Sequence, residues 1–219
     1  MVSSLIQHLL QLVYPSYCYQ CYNLVPQELV FCAHCFASIK PVVSLQIPVA
    51  TKKVVSVFAG GAYQEPLKNL VLAKFKRDVL ASKYLAQILI HHLSPSIIEK
   101  IDVLVPIPLH WTRYAQRGYN QAFIMAKTLA HHYNRDTISI LRRVKRTKLQ
   151  ARLSKIERQK NLDQAFVCNP LYKKYVENKH VALVDDLYTT GSTVISAAKA
   201  LFKAGAYEVT VLVGSRKIE

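Results

Sequence analysis

The stretch His180–Val194 reads HVALVDDLYTTGSTV, and it decides the fold class. Val181–Val184 is an apolar run of strand length. Asp185 and Asp186 stand where that strand ends, and a loop of small residues follows at Thr189, Thr190, Gly191, Ser192 and Thr193. From Ser192 to Lys203 the pattern is helical, and Val209–Val213 is a further buried-strand run. A strand–loop–helix unit followed by another apolar strand predicts an α/β domain with a parallel sheet. Ligands of such sheets bind at the carboxyl ends of the strands. Backbone N–H groups at a helix start, joined by Thr and Ser hydroxyls, suit a phosphate dianion. Gly191 lets backbone and ligand approach closely. Adjacent carboxylates beside a phosphate suit paired ribose hydroxyls, directly or through Mg²⁺.

This loop resembles the phosphoribosyl-diphosphate (PRPP) signature of type I phosphoribosyltransferases. The resemblance implies that Asp185 and Asp186 hold the ribose hydroxyls and that Thr189–Thr193 cradle the 5′-phosphate.

Working outward, Asp102–Pro108 (DVLVPIP) is an apolar strand ending in prolines, followed by Leu109-His110-Trp111, Arg113 and Arg117-Gly118-Tyr119-Asn120-Gln121. Arg113 and Arg117 follow a strand end directly, and a guanidinium grips phosphate oxygens with two parallel hydrogen bonds. Asn120 and Gln121 either cap a helix running to about Tyr133 or bind ligand. At Lys74-Phe75-Lys76-Arg77-Asp78, Lys74 and Lys76 are either diphosphate contacts or solvated charges at a helix end.

Four of the five cysteines form Cys18-x2-Cys21 and Cys32-x2-Cys35, ten residues apart. Two such knuckles supply four sulfur ligands to one structural Zn²⁺; two disulfides or four buried thiols are the alternatives. His34 is a bystander to this set, and Cys168 reads as a core residue. Residues 1–48 hold one base, Lys40, and one acid, Glu28, so the whole formal charge of +16 lies beyond them. Pro41 to Pro48 reads as a linker, which divides the chain into a module at 1–48 and a domain at 49–219.

The four-cysteine module, PIPLH…RGYNQ and VDDLYTTGST together resemble the ComF/GntX family of phosphoribosyltransferase-like proteins, over nearly the whole chain. The implied fold is a type I phosphoribosyltransferase-like parallel sheet flanked by helices, preceded by a small zinc ribbon. The family often carries glycine where Arg77 stands. An arginine there either crowds the diphosphate loop or adds a phosphate contact.

At 51% hydrophobic and 19% charged, the 219 residues can bury a core, which excludes wholesale disorder. Arg142–Lys160 carries nine bases and one acid, half of the excess charge. Its Arg142, Arg143, Lys145, Arg146, Lys148, Arg152 and Arg158 are the expected nucleic-acid contacts. The segment is either a lid over the diphosphate or a strand-binding surface, and it can serve as both. Tyr17, Tyr19 and Tyr22 around the cysteine knuckle, and Tyr172 and Tyr175 beside Lys173-Lys174, suit stacking with single strands where they are exposed. No duplex-reading motif is present.

No run reaches the roughly 20 apolar residues of a membrane span. Ser4–Tyr14 reads as a short packing helix rather than a signal peptide, since it lacks a basic start and a small-residue cleavage site. The expected location is the cytoplasm, at the inner face of the membrane with the uptake machinery. The leading reading is a competence protein that binds single-stranded DNA and PRPP, with Mg²⁺ accompanying PRPP. Its expected protein partners are DNA-uptake or recombination factors such as a competence helicase. A metabolic phosphoribosyltransferase, passing the phosphoribosyl group to a nitrogenous base, is the alternative. A catalytically silent scaffold is the third reading.

Overall fold

In a computed structural model, residues 15–26, 29–144 and 165–218 are described. The expected helix at Ser4–Tyr14 lies outside them, as does most of the basic segment, including Lys145, Arg146, Lys148, Arg152 and Arg158.

The chain opens with a small antiparallel pair, β1 (Ser16–Tyr17) and β2 (Leu24–Val25), and the short helix α1 (Ala33–Ala37). The hairpin strands β3 (Leu45–Ala50) and β4 (Lys53–Ala59) follow, then α2 (Leu67–Leu72), a 3-10 turn at Ala73–Lys76, α3 (Val79–His92) and the single turn α4 (Pro95–Ile98). Next come β5 (Val103–Pro106), α5 (Trp111–Arg117), α6 (Gln121–Tyr133), β6 (Asp136–Thr137) and the small pair β7 (Leu141–Arg143) and β8 (Phe166–Cys168). A 3-10 turn at Pro170–Tyr175, β9 (His180–Tyr188), α7 (Ser192–Lys203) and β10 (Glu208–Arg216) complete the described chain.

The central sheet has the order β3-β4-β10-β9-β5-β6, with every pairing parallel except the β3–β4 hairpin. Its middle strands are apolar on both sides because helices cover both faces. Ala182, Val184 and Leu212 face the layer of α2, α3 and α6, while Val181, Leu183, Val211 and Val213 face the layer of α7 and the β7–β8 pair. The stretch expected to be a linker contributes Leu45–Pro48 to β3. Pro48 is tolerated there because β3 is an edge strand.

Caps set the helix starts. Asp78 accepts from Leu80 N and Ala81 N at the head of α3, and Asn120 accepts from Ala122 N at the head of α6. Asn120 Nδ2 also donates to Ile107 O, tying α6 to the end of β5. The capping reading of Asn120 is therefore the one the structure carries.

The cysteine module packs onto the α2–α3 face: Cys18, Phe31, Cys35 and Ile39 join the core that includes Leu67, Leu70, Leu85 and Leu89. Phe36 meets His91 edge-on at 4.9 Å and stacks parallel to His92 at 6.0 Å. Those two histidines thus seat the module on the end of α3. Among the described residues no helix is long and apolar enough to cross a membrane.

Candidate functional site

Strand β9 runs four residues past Val184, because β10 keeps pairing with it through Leu187 and Tyr188. Asp185 and Asp186 are therefore neighbours within the strand rather than at its end, and successive strand side chains point to opposite faces. Asp186 reaches the α2–α3 side, where its Oδ2 lies 2.6 Å from Lys74 Nζ, and both side chains are largely buried. Asp185 lines the cleft of the following loop together with Tyr188, Thr189, Gly191, Ser192 and Thr193. Its Oδ1 accepts from Asp186 N at 2.9 Å. Burial, and then the adjacent Asp186 carboxylate, push the Asp185 carboxyl up to about 8.

Gly191 sits at φ +74°, and a Cβ built on it would lie 2.5 Å from Tyr188 Oη. Glycine is thus required twice, for backbone conformation and for space. Thr189 and Thr190 are exposed. The hydroxyls of Thr190 and Ser192 lie 3.0 Å apart, where α7 begins. This is the geometry of an anion cradle, with hydroxyls and first-turn N–H groups together at a helix start.

Cations surround the two carboxylates. Arg117, at the end of α5, has its guanidinium 5.1 Å from the centre of the Phe75 ring, and Lys74 Nζ lies 5.7 Å from the same ring. Burial lowers the Arg117 pKa; Asp186 opposes that effect and Arg113 adds to it. Arg143 turns inward from β7 over Phe166, and burial followed by Arg113 lowers its pKa while Asp185 raises it. Arg113, Arg117, Arg143, Lys74, Asp185 and Asp186 thus form one electrostatic neighbourhood. Lys76 and Arg142 are exposed. Arg77 is exposed and adopts φ +60°, ψ +27° at the end of the 3-10 turn. A glycine there would meet a backbone need.

Sequence reasoning missed three participants. Phe75 is the ring that Lys74 and Arg117 share. Tyr19, from between the first two cysteines, donates to Asp78 Oδ2 at 2.8 Å, and Tyr119 donates to Asp78 O at 2.7 Å. Asp78 before an apolar helix was readable as a cap, but its two tyrosine partners come from distant sequence.

The four cysteines converge, with all four Sγ atoms within 4.8 Å of one another. Sγ of Cys21 and Cys32 are 3.7 Å apart. That is far beyond the ~2.05 Å of a disulfide, and it is close to the ~3.8 Å edge of a tetrahedron built on Zn–S bonds. The cluster can hold one metal ion, and four thiols suit zinc. Two carboxylates are hard oxygen donors and fit Mg²⁺, although one oxygen of Asp186 is engaged by Lys74.

No family model matches the chain. It is 34% identical over 157 residues to "Competence protein F" of Haemophilus influenzae, covering 69% of this chain and 68% of that protein. It is 32% identical over 208 residues to "DNA utilization protein YhgH" of Salmonella typhimurium, covering 89% and 87%. "Competence protein ComFC" of Bacillus subtilis is 34% identical over 107 residues, covering 49% and 41%. Among solved structures, an allosteric regulatory enzyme of purine biosynthesis aligns with a TM-score of 0.41 at 24% identity over 61% of this chain. The glutamine PRPP amidotransferase of B. subtilis aligns at 0.40 and 21% identity over 64%. The chain spans about a quarter of the length of each of these two.

Proposed function

The chain belongs to the ComF family of competence and DNA-utilization proteins, and on that premise we propose that it works in DNA uptake, binding single-stranded DNA and, at the end of β9, PRPP. The observation that carries the PRPP reading is the convergence on one strand end of the Thr189–Thr193 cradle, the Asp185/Asp186 pair and the cations Lys74, Arg113 and Arg117.

In this reading the first-turn N–H groups and hydroxyls of α7 bind the 5′-phosphate, and the aspartates orient the ribose hydroxyls. Lys74 and Arg117 face the diphosphate, with Arg113 beside them. Mg²⁺, when bound, neutralises diphosphate charge. Lys74 engages Oδ2 of Asp186, so ligand groups reach this carboxylate at Oδ1 or in place of the lysine. The four cysteines hold a structural zinc ion. The surplus of bases over what a phosphate site uses supports the DNA reading, because a single strand is a polyanion.

Calorimetry with Mg²⁺ and PRPP, beside anisotropy of a labelled oligonucleotide across a salt series, tests both halves. Binding of PRPP that disappears in Asp185→Asn/Asp186→Asn is expected, as is strand affinity that falls steeply with salt. Absent PRPP binding overturns the first half, and absent or salt-insensitive strand binding overturns the second. Release of diphosphate with a nucleobase acceptor would assign transfer chemistry to the same site.

A further inference from the structure

Residues 72–80 and 111–117 form one surface. Arg117 stacks on Phe75, and Tyr119, just beyond α5, donates to Asp78 O, so the 3-10 turn and α5 lie side by side. The surface is unusual in what it exposes. Phe75 is 64% exposed, Trp111 73% and Tyr114 53%, with Leu72, Val79 and Leu80 also exposed at its edge. Helix α5 contributes no buried side chain at all.

A helix of sequence WTRYAQR that has no fully buried side chain and exposes both of its rings is not explained by packing. Trp111 and Tyr114 are one turn apart and share a side of it. Lys76, Arg77 and Arg113 are exposed in the same two segments, and Lys74 and Arg117 lie against the Phe75 ring. The one acid in these two segments, Asp78, is engaged by its cap contacts and by Tyr19.

We propose that Phe75, Trp111 and Tyr114, with the cations of the same two segments, are the platform on which single-stranded nucleic acid stacks its bases. The inference rests on the strand-binding half of the proposed function and gives it a location separate from the basic segment. Charge complementarity selects the occupant. Rings interleaved with cations match a chain of bases on a phosphate backbone, because every base offers a π-face and every phosphate a negative charge. Duplex DNA keeps its bases stacked internally and has none to offer. The Tyr172–Tyr175 pair, 6.2 Å between ring centres, is the weaker candidate, because Lys173 beside it is committed to Glu177 at 3.0 Å. The platform adjoins the phosphate site directly, since Phe75 lies against both Lys74 and Arg117. A strand on the platform therefore lies at the mouth of the cleft.

Trp111 is the chain's single tryptophan, so its intrinsic fluorescence reports on the platform alone. The experiment titrates the full chain with an oligodeoxythymidylate of about 15 nucleotides, followed by tryptophan emission and by anisotropy of the labelled strand. The expected result is quenching with the same midpoint as the anisotropy change. A duplex of equal length leaves the emission unchanged. Trp111→Ala/Tyr114→Ala and Phe75→Ala each weaken the strand by about tenfold or more, whereas Trp111→Phe retains most of the affinity. Strand binding by anisotropy with unchanged emission, and with the double variant equal to wild type, overturns the platform and leaves the strand-binding function standing. No binding by anisotropy at any salt overturns both. If a variant fails to fold, as judged by zinc content and circular dichroism, the wild-type emission experiment still decides.

Discussion

The phenol of Tyr19 donates a 2.8 Å hydrogen bond to Oδ2 of Asp78, joining residues 59 positions apart. Tyr19 belongs to the first cysteine knuckle, and Asp78 caps α3 directly after the turn that carries Lys74. Gln20 extends the seam, accepting from Asn69 Nδ2 at 2.7 Å and donating to Glu65 at 3.1 Å. The metal-binding module is thereby fastened to the segment that supplies a cation to Asp186. Its stability and the geometry of the proposed phosphate site are therefore coupled through this seam.

Tyr19→Phe removes one partly buried hydrogen bond and should lower unfolding free energy by about 1 kcal/mol. Zinc content should not change, since no ligand is touched, while affinity for PRPP should fall as the Lys74 turn loosens. Denaturant unfolding, a metal assay and calorimetry check the three parts. Unchanged PRPP affinity in a destabilised variant would limit the contact to folding.

Gly191→Ala places a Cβ against Tyr188 Oη at a backbone φ of +74°. The conformational part alone costs on the order of 1–2 kcal/mol. Tyr188→Phe in the same chain removes the nearest clashing atom, so the double variant should recover part of the loss in thermal unfolding. Additive losses would show that the hydroxyl is not the obstacle.

Arg77 adopts a left-handed conformation at φ +60°. Arg77→Gly should therefore stabilise the turn by roughly 1 kcal/mol, offset by glycine's larger entropy when unfolded. The same change removes a cation from the proposed strand platform, so strand affinity should fall and its salt dependence should become shallower. Opposite signs in melting temperature and strand binding are the outcome to look for.

Burial, then the Asp186 carboxylate, push the Asp185 carboxyl from 3.8 up to about 8. Between about pH 4 and pH 8 the unfolded chain has released this proton while the folded chain keeps it. The folded state then binds more protons, so this group's contribution is largest in acid and is lost as pH rises through that window. Asp185→Asn should flatten the corresponding slope of stability against pH. An unaltered slope would place the titration elsewhere.

Removal of any one of Cys18, Cys21, Cys32 or Cys35 should reduce bound zinc from about one ion per chain to a small fraction. Chelation should loosen the module first, because metal binding supplies much of the folding free energy of so small a unit. Elemental analysis and limited proteolysis between residues 15 and 44 read this directly.

Much of the architecture was legible because it rests on local pattern. The apolar run before Asp185, the small residues after Tyr188 and the helical spacing from Ser192 all sit in one contiguous stretch. The paired CxxC motifs carry their ligand spacing with them. What escaped depends on partners remote in sequence. Asp185 and Asp186 read as the end of the strand because nothing local shows that β10 pairs with β9 as far as Tyr188. Arg143 read as one nucleic-acid contact in a basic run, and only the β7–β8 pairing turns it inward over Phe166. At Arg77 the sequence raised crowding or a phosphate contact, and the left-handed backbone angle, which no local pattern announces, adds a separate reason for a glycine. Trp111 and Tyr114 carried the plainest overlooked signal, two rings one turn apart in a segment with no apolar stripe to bury them.

Helix α5 has no fully buried side chain, and its ends are closed within the helix itself, with His110 Nδ1 accepting from Thr112 N at the start and Gly118 N donating to Tyr114 O at the end. Such an element opens on its own, far below the free energy needed to unfold the whole domain. Its amide protons should exchange with solvent well before those of α3 and α6, whose inner faces are locked in the core. In deuterium-exchange measurements this short helix is then a natural recorder, with slow uptake appearing only when something rests on it.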